Sequence, residues 1–249
     1  MKISKVLLSF TVAAATGLAS LQAGSAPAPA MSAPVAPAAT SHGLLGDVAG
    51  ELSSGFDSHY IFRGANLGEN AVWTGLNLAV PIADGLDLGL GAWYINPTEG
   101  GADDELDLFA SLGTSFGGVD VSLGYTAYLY PEDNGDTTNE INVAAGTEVM
   151  GVSVGGQYAY DFDLETHYFE ASAGYGVELT DIISADFSVA LGFTEDNYSH
   201  TTVALAFPIA LADGATLTPY VAGVFPDEEV HGGSVEDEIF GGASLSVSF

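Results

Sequence analysis

The chain has 249 residues, of which 47 % are hydrophobic and 14 % charged. It has no cysteine, which excludes disulfides, thiolate metal sites and lipoprotein attachment. Its formal charge is −30, from 33 acidic residues against 3 Lys and Arg, so it lacks the cationic footprint that nucleic-acid binding requires.

Residues 1–23 read as a signal peptide. Lys2 and Lys5 form a positive start, an apolar stretch follows from Val6 to about Leu18, and Leu21-Gln22-Ala23 is a cleavage site. Export follows, and both lysines leave with the leader. The remainder then carries one basic side chain, Arg63, against 33 acidic ones, a formal charge of −32. Such a surface suits metal cations, cationic solutes or a saline habitat. Residues 24–43 are rich in Ala, Pro and Ser without a periodic face, and read as a flexible linker.

Residues 44–249 contain no apolar run of about 20 residues, so no transmembrane helix is predicted. Instead, segments alternate between apolar and small or polar residues. Ala243-Ser244-Leu245-Ser246-Val247-Ser248-Phe249 shows the pattern most plainly. Strands are predicted at 48–62, 70–82, 85–96, 104–116, 119–130, 139–149, 151–161, 165–178, 181–193, 199–211, 215–225 and 236–249. The turns after the even-numbered segments are short: Ala83-Asp84-Gly85, Gly117-Gly118, Met150-Gly151, Leu179-Thr180-Asp181 and Ala212-Asp213-Gly214. Connections after the odd-numbered segments are mostly longer and more polar, from RGANLGEN after the first to PDEEVHGGSVED after the eleventh.

This is the layout of an all-β fold, a transmembrane antiparallel up-and-down β-barrel of about 12 strands. Both termini fall on the short-turn side, the periplasm of an outer-membrane protein. Ten or fourteen strands also fit, because the turn between the sixth and seventh segments is weak. Loop-end aromatics (Tyr60, Phe62, Trp93, Tyr94, Tyr128, Tyr130, Tyr158, Tyr160, Phe193 and Phe225) would supply a headgroup girdle where they face outward. Phe116 and Phe249 would mark the opposite girdle.

Parity assigns the faces. In the ninth segment Ala185, Phe187, Val189, Leu191 and Phe193 oppose Ser184, Asp186, Ser188, Ala190 and Gly192. A charge facing lipid at mid-depth costs roughly 2–4 kcal/mol, so the charged phase faces the lumen. That phase collects Glu51, Asp57, Asp87, Glu105, Asp107, Asp120, Glu148, Glu170 and Asp186. Two interiors are compatible with this set. One is a water-filled path whose carboxylates favour cations. The other is a narrow interior plugged by its own side chains. Arg63, the lone cation once the leader is removed, is expected at the rim, either paired with Asp57 or a loop carboxylate or forming part of a constriction.

Asp133 and Asp136 in the third long loop, and Asp227, Glu228 and Glu229 in the sixth, are weak candidates for Ca²⁺ or Mg²⁺, and neither set completes a calcium loop. Divalent ions there would bridge to lipopolysaccharide. No catalytic residues are expected. Ser58-His59 and Ser199-His200 are adjacent in strands, so their side chains are expected on opposite faces rather than as nucleophile–base pairs. No GxSxG or HExxH motif is present.

The first strand carries a resemblance. Ser58-His59-Tyr60-Ile61-Phe62-Arg63-Gly64 is similar to the (S/D)-x-Y-x-F-R-G opening of the TorF-like porin family of exported bacterial proteins. Trp73-Thr74-Gly75 and Gly91-Ala92-Trp93-Tyr94 fit the strands that follow it. The chain departs from the family in its proline-rich extension, in His59 where an acidic residue is common, and in its shortage of basic residues. The resemblance implies an outer-membrane porin. The reading is a passive channel for small solutes that prefers cations and sits among membrane lipid and lipopolysaccharide, with no assigned oligomeric state. The alternatives are a non-conducting structural or adhesive barrel with acidic loops, a barrel enzyme acting on lipids and, more weakly, a soluble β-sandwich.

Overall fold

Period-two alternation makes a segment stable only as a strand with one apolar face, and such strands need closed pairing on both edges. The computed structural model meets both demands. It describes residues 48–100, 103–131, 136–195, 197–227, 230 and 236–249. The leader, the linker and the loop candidates Asp133, Glu228 and Glu229 lie outside these residues.

The strands are β1 (Ala49–Phe62), β2 (Ala65–Ala83), β3 (Leu86–Glu99), β4 (Glu105–Phe116), β5 (Val119–Tyr130), β6 (Asp136–Val149), β7 (Val152–Asp161), β8 (Thr166–Thr180), β9 (Ile183–Thr194), β10 (Asn197–Ala206), β11 (Ile209–Ala212), β12 (Ala215–Pro226) and β13 (Glu238–Ser248). Each pairs antiparallel with its neighbours, and β13 returns to β1 to close the ring. β10 and β11 both lie between β9 and β12, so they are two pieces of one crossing and the barrel has twelve. The break falls at Pro208, which has no N–H to give to the ladder.

The register carries one parity around the whole barrel. Gly75 of β2 faces Trp93 of β3, which faces Asp107 of β4, which faces Tyr128 of β5, which faces Thr138 of β6. The opposite phase holds no Asp, Glu, Lys or Arg on any strand, and its apolar side chains are widely exposed, such as Leu123 at 48 % and Phe187 at 52 %. A belt of this kind is stable only against an apolar medium. Tyr94, Tyr158, Phe193 and Phe225 join it near the loop ends, and Phe116 and Phe249 are exposed at the opposite rim. Tyr60, Trp93 and Tyr128 instead point inward and are buried.

The first long connection is not a loop. β2 begins at Ala65, so β1 and β2 meet through the two-residue turn Arg63-Gly64, with both residues at positive φ, 49° and 91°. Two successive left-handed residues give the primed hairpin turn that matches strand twist. The chain therefore stays paired through Ala65–Asn70, and the β1–β2 hairpin is long enough to reach into the barrel.

That hairpin builds the interior core. β1 pairs with β13 only from Glu51 to Asp57, and beyond Asp57 the two strands part. Ile61 packs inside the barrel with Ala204, Ala222, Val224 and Phe240. Tyr60 packs with Ala71, Trp93 and Ile95, and Phe62, Leu67, Trp73 and Phe109 close around them.

Candidate functional site

The candidate carboxylates lie on the inward phase, and the interior they face has two unlike halves. In the half nearest the short turns, the inward side chains are Ser53, Ser111, Ser122, Ala144, Gly155, Ser172, Ser188 and Ser246, partly open to solvent. Small polar residues leave room for water. Glu51, Asp87, Asp120, Glu148 and Asp186 share this half, and all are at least partly exposed. Ser115 donates to Asp120.

The half nearest the loops is packed. Asp57, Glu105, Asp107 and Glu170 lie there, all buried. The register thus places all nine sequence-derived carboxylates on the inward phase, but divides them between a wet region and a dry one. Two further buried carboxylates belong to the dry region, Glu140 and Asp161. Glu140 shares the parity of Glu148 on the same strand, so alternation alone places it inward.

Buried carboxylates need donors, and tyrosines supply most of them. Tyr220 donates to Asp57 Oδ1 at 2.6 Å, Tyr60 to Glu105 Oε1 at 2.8 Å and Tyr168 to Glu170 Oε2 at 2.6 Å. The N–H groups of Asp163 and Leu164 each donate to Asp161 Oδ1 at 2.8 Å.

Arg63 does not pair with Asp57 or with a loop. It leaves the β1–β2 turn, crosses the lumen and donates from Nη2 to Glu140 Oε2 of β6 at 2.6 Å. Its guanidinium also lies 4.3 Å from the ring centre of Tyr168 on β8 and 4.8 Å from that of Phe62. The reason is the inward bend of the hairpin, which carries the turn past the near wall. The hydroxyl of Tyr128 lies 3.4 Å from Glu140 Oε1. The turn backbone is seated as well: Ser199 Oγ donates to the Arg63 carbonyl at 3.3 Å. A Cβ at Gly64 would stand 2.8 Å from His200, so only glycine fits there.

The serine–histidine pairs depart from strict alternation. Ser58 Oγ lies 3.0 Å from His59 Nδ1, and Ser199 Oγ lies 3.2 Å from His200 Nδ1. Register shifts at Tyr60/Ile61 and Tyr198/His200 break the two-residue period beside each pair. Both hydroxyls serve backbone. Ser58 Oγ accepts from Gly241 N at 3.1 Å, where β1 has left β13, and Ser199 holds the turn. His59 then spans the parted seam to Glu238 at 3.3 Å, and Asn66 Nδ2 donates to the same carboxylate at 3.1 Å.

Among the loop candidates, Asp227 Oδ1 is engaged by Val230 N at 3.1 Å. Asp136 begins β6, opposite Tyr130 of β5, rather than sitting in a loop. Among the described residues no three His, Asp or Glu side chains converge on a metal position.

No family model matches the chain, and no curated protein matches it. Solved structures do. A KdgM porin shares 12 % identity at a TM-score of 0.53, over 80 % of this chain and 99 % of that one. The KdgM porin in complex with disordered oligogalacturonate shares 9 % identity at a TM-score of 0.51, over 81 % of this chain and 99 % of that one. An outer-membrane channel from Pseudomonas putida F1 shares 11 % identity at a TM-score of 0.52, over 81 % of this chain and 95 % of that one. At these identities the likeness is one of fold.

Proposed function

We propose that this chain is an outer-membrane, porin-like channel for small solutes, with a preference for cations and with both termini in the periplasm. The observation that carries the reading is the division of charge. Twelve crossings close a barrel whose outward phase has no Asp, Glu, Lys or Arg among the described residues, while its inward phase collects the carboxylates. An uncharged belt suits lipid, and an acidic interior lowers the energy of a cation in the path and raises that of an anion. The shared fold with porins and channels supports the architecture, and the (S/D)-x-Y-x-F-R-G opening agrees with it.

The packed loop-side half favours a second reading, a barrel that does not conduct. Ile61, Trp93 and Ile95 lie inside the wall and are shielded from water. One experiment separates the two. The mature chain is refolded, its heat-modifiable migration confirms the barrel, and single-channel current is recorded across a planar bilayer with a KCl gradient. Current steps with a cation-selective reversal potential are expected. A folded barrel without steps overturns the channel reading and leaves the non-conducting barrel.

A further inference from the structure

Arg63 is the only Lys or Arg among the described residues, and the place that receives its guanidinium is built by other strands. Glu140 of β6 accepts from Nη2 at 2.6 Å. Tyr168 of β8 sets its ring centre 4.3 Å from the guanidinium carbon. Tyr128 of β5 holds its hydroxyl 3.4 Å from the other Glu140 oxygen. Phe62, at 4.8 Å, is the hairpin's own contribution.

These walls stand without their guest. The Tyr168 hydroxyl donates to Glu170 at 2.6 Å, and its ring stacks on His200 with centres 6.3 Å apart and planes 8° from parallel. Tyr128 and Glu140 lie on strands paired along their whole length. The site is not sealed either. The Arg63 side chain is 17 % exposed and that of Glu140 only 4 %, so water reaches the guest and not the carboxylate behind it. The turn backbone is held separately, by Ser199 Oγ on the Arg63 carbonyl. The long side chain can therefore swing out while the turn stays seated.

A carboxylate beside aromatic faces is a general means of recognising organic cations. We infer that Glu140, Tyr168 and Tyr128 form a binding site for small organic cations of the guanidinium class, which Arg63 fills as an intramolecular stand-in until such a solute displaces it. A guanidinium is planar and weakly hydrated, so it pairs with a carboxylate and lies on a ring where a compact, strongly hydrated ion does not. The exchange replaces one guanidinium by another, so Glu140 is never left as an unpaired buried charge. The inference rests on the cation preference proposed above and names the solute class.

The test reads binding without current. The refolded mature barrel is titrated with ethylguanidinium chloride in a calorimeter, with NaCl reduced in step to hold the ionic strength. Wild type is expected to bind saturably. Arg63→Ala is expected to bind about tenfold more tightly or better, because no internal guest competes. Adding Glu140→Gln to Arg63→Ala is expected to abolish the saturable heat. Asp84→Asn, in a short turn, controls for general acidity and is expected to match wild type. Binding by Arg63→Ala but none by wild type overturns the inference, because Arg63 is then a permanent tie. Equal affinity of the two overturns it as well, and so does binding that survives in the double variant, since the cation then sits elsewhere. If Arg63→Ala does not fold, the double variant, which strands no charge, is compared with wild type, and equal binding overturns the site. A barrel that binds ethylguanidinium but never conducts keeps the site and loses the channel. A conducting barrel without saturable binding loses the site alone.

Discussion

The two halves of the barrel interior are built from the same strands and the same parity, yet they follow different physics. Near the short turns, Ser, Gly and Ala line the wall, and the carboxylates Glu51, Asp87, Asp120 and Asp186 reach water. Near the loops, the β1–β2 hairpin turns inward, aromatics fill the space it leaves, and buried carboxylates such as Asp57 and Glu105 are held by tyrosine hydroxyls. Acidic residues in the first region set a field at little structural cost. Those in the second are part of the packing, and removing a partner leaves a charge stranded. The carboxylates of one phase therefore do not form a single filter.

The sharpest way to break the contrast is to empty the dry half. Trp93→Ala removes a ring that is 3 % exposed and packed against Tyr60 and Trp73. It is expected to cost about 3–5 kcal/mol in urea or thermal unfolding of the refolded barrel. An unchanged midpoint would show that the hairpin does not depend on this cluster.

Arg63→Ala comes next. It strands Glu140, which is buried, and is expected to destabilise by about 3 kcal/mol. Adding Glu140→Gln to it should return part of that loss, since the orphaned charge is then gone. If conduction occurs, Arg63→Ala should also raise single-channel current by freeing the tip of the hairpin. Equal stability of Arg63→Ala and wild type would mean that the bridge across the lumen is not formed in solution.

Gly64→Ala probes the seat of the turn more gently. A left-handed residue that gains a Cβ loses about 1–2 kcal/mol, and the new methyl would also meet His200. A smaller midpoint shift, in the same direction as Arg63→Ala, is the expected outcome.

The smallest effect on stability should come from the wet half. Asp87→Asn, Asp120→Asn and Asp186→Asn are each expected to change stability by less than about 0.5 kcal/mol. Combined, they should move the reversal potential toward that of a non-selective pore. A large loss of stability with no change of selectivity would reverse the assignment of the two halves.

Most of the barrel was readable in the residues. Segments such as Val119–Tyr130 match their predicted limits, because alternation and a Gly-Gly or Asp-Gly turn are local signals that no distant contact overrides. The first connection was misread because Arg63-Gly64 is not the usual Asn-Gly pair, and Arg63 adopts a positive φ that its side chain does not favour locally. The aromatics were only partly readable. Tyr94 and Trp93 sit side by side in sequence, and the parity that sends one outward sends the other into the core.

Which face most strand side chains take, and hence the sign of the interior, is decided by the sequence, because a strand has period two and lipid excludes charge. The register shifts beside Ser58-His59 and Ser199-His200 break that period. What the inward residues do was settled only in three dimensions. The meeting of Arg63 with Glu140 spans strands 77 residues apart in the chain. It exists because the β1–β2 hairpin departs from β13 after Asp57 and folds into the lumen. Nothing in the local pattern encodes that departure. It follows from the packing of Ile61 and Tyr60 against walls built by strands at both ends of the sequence.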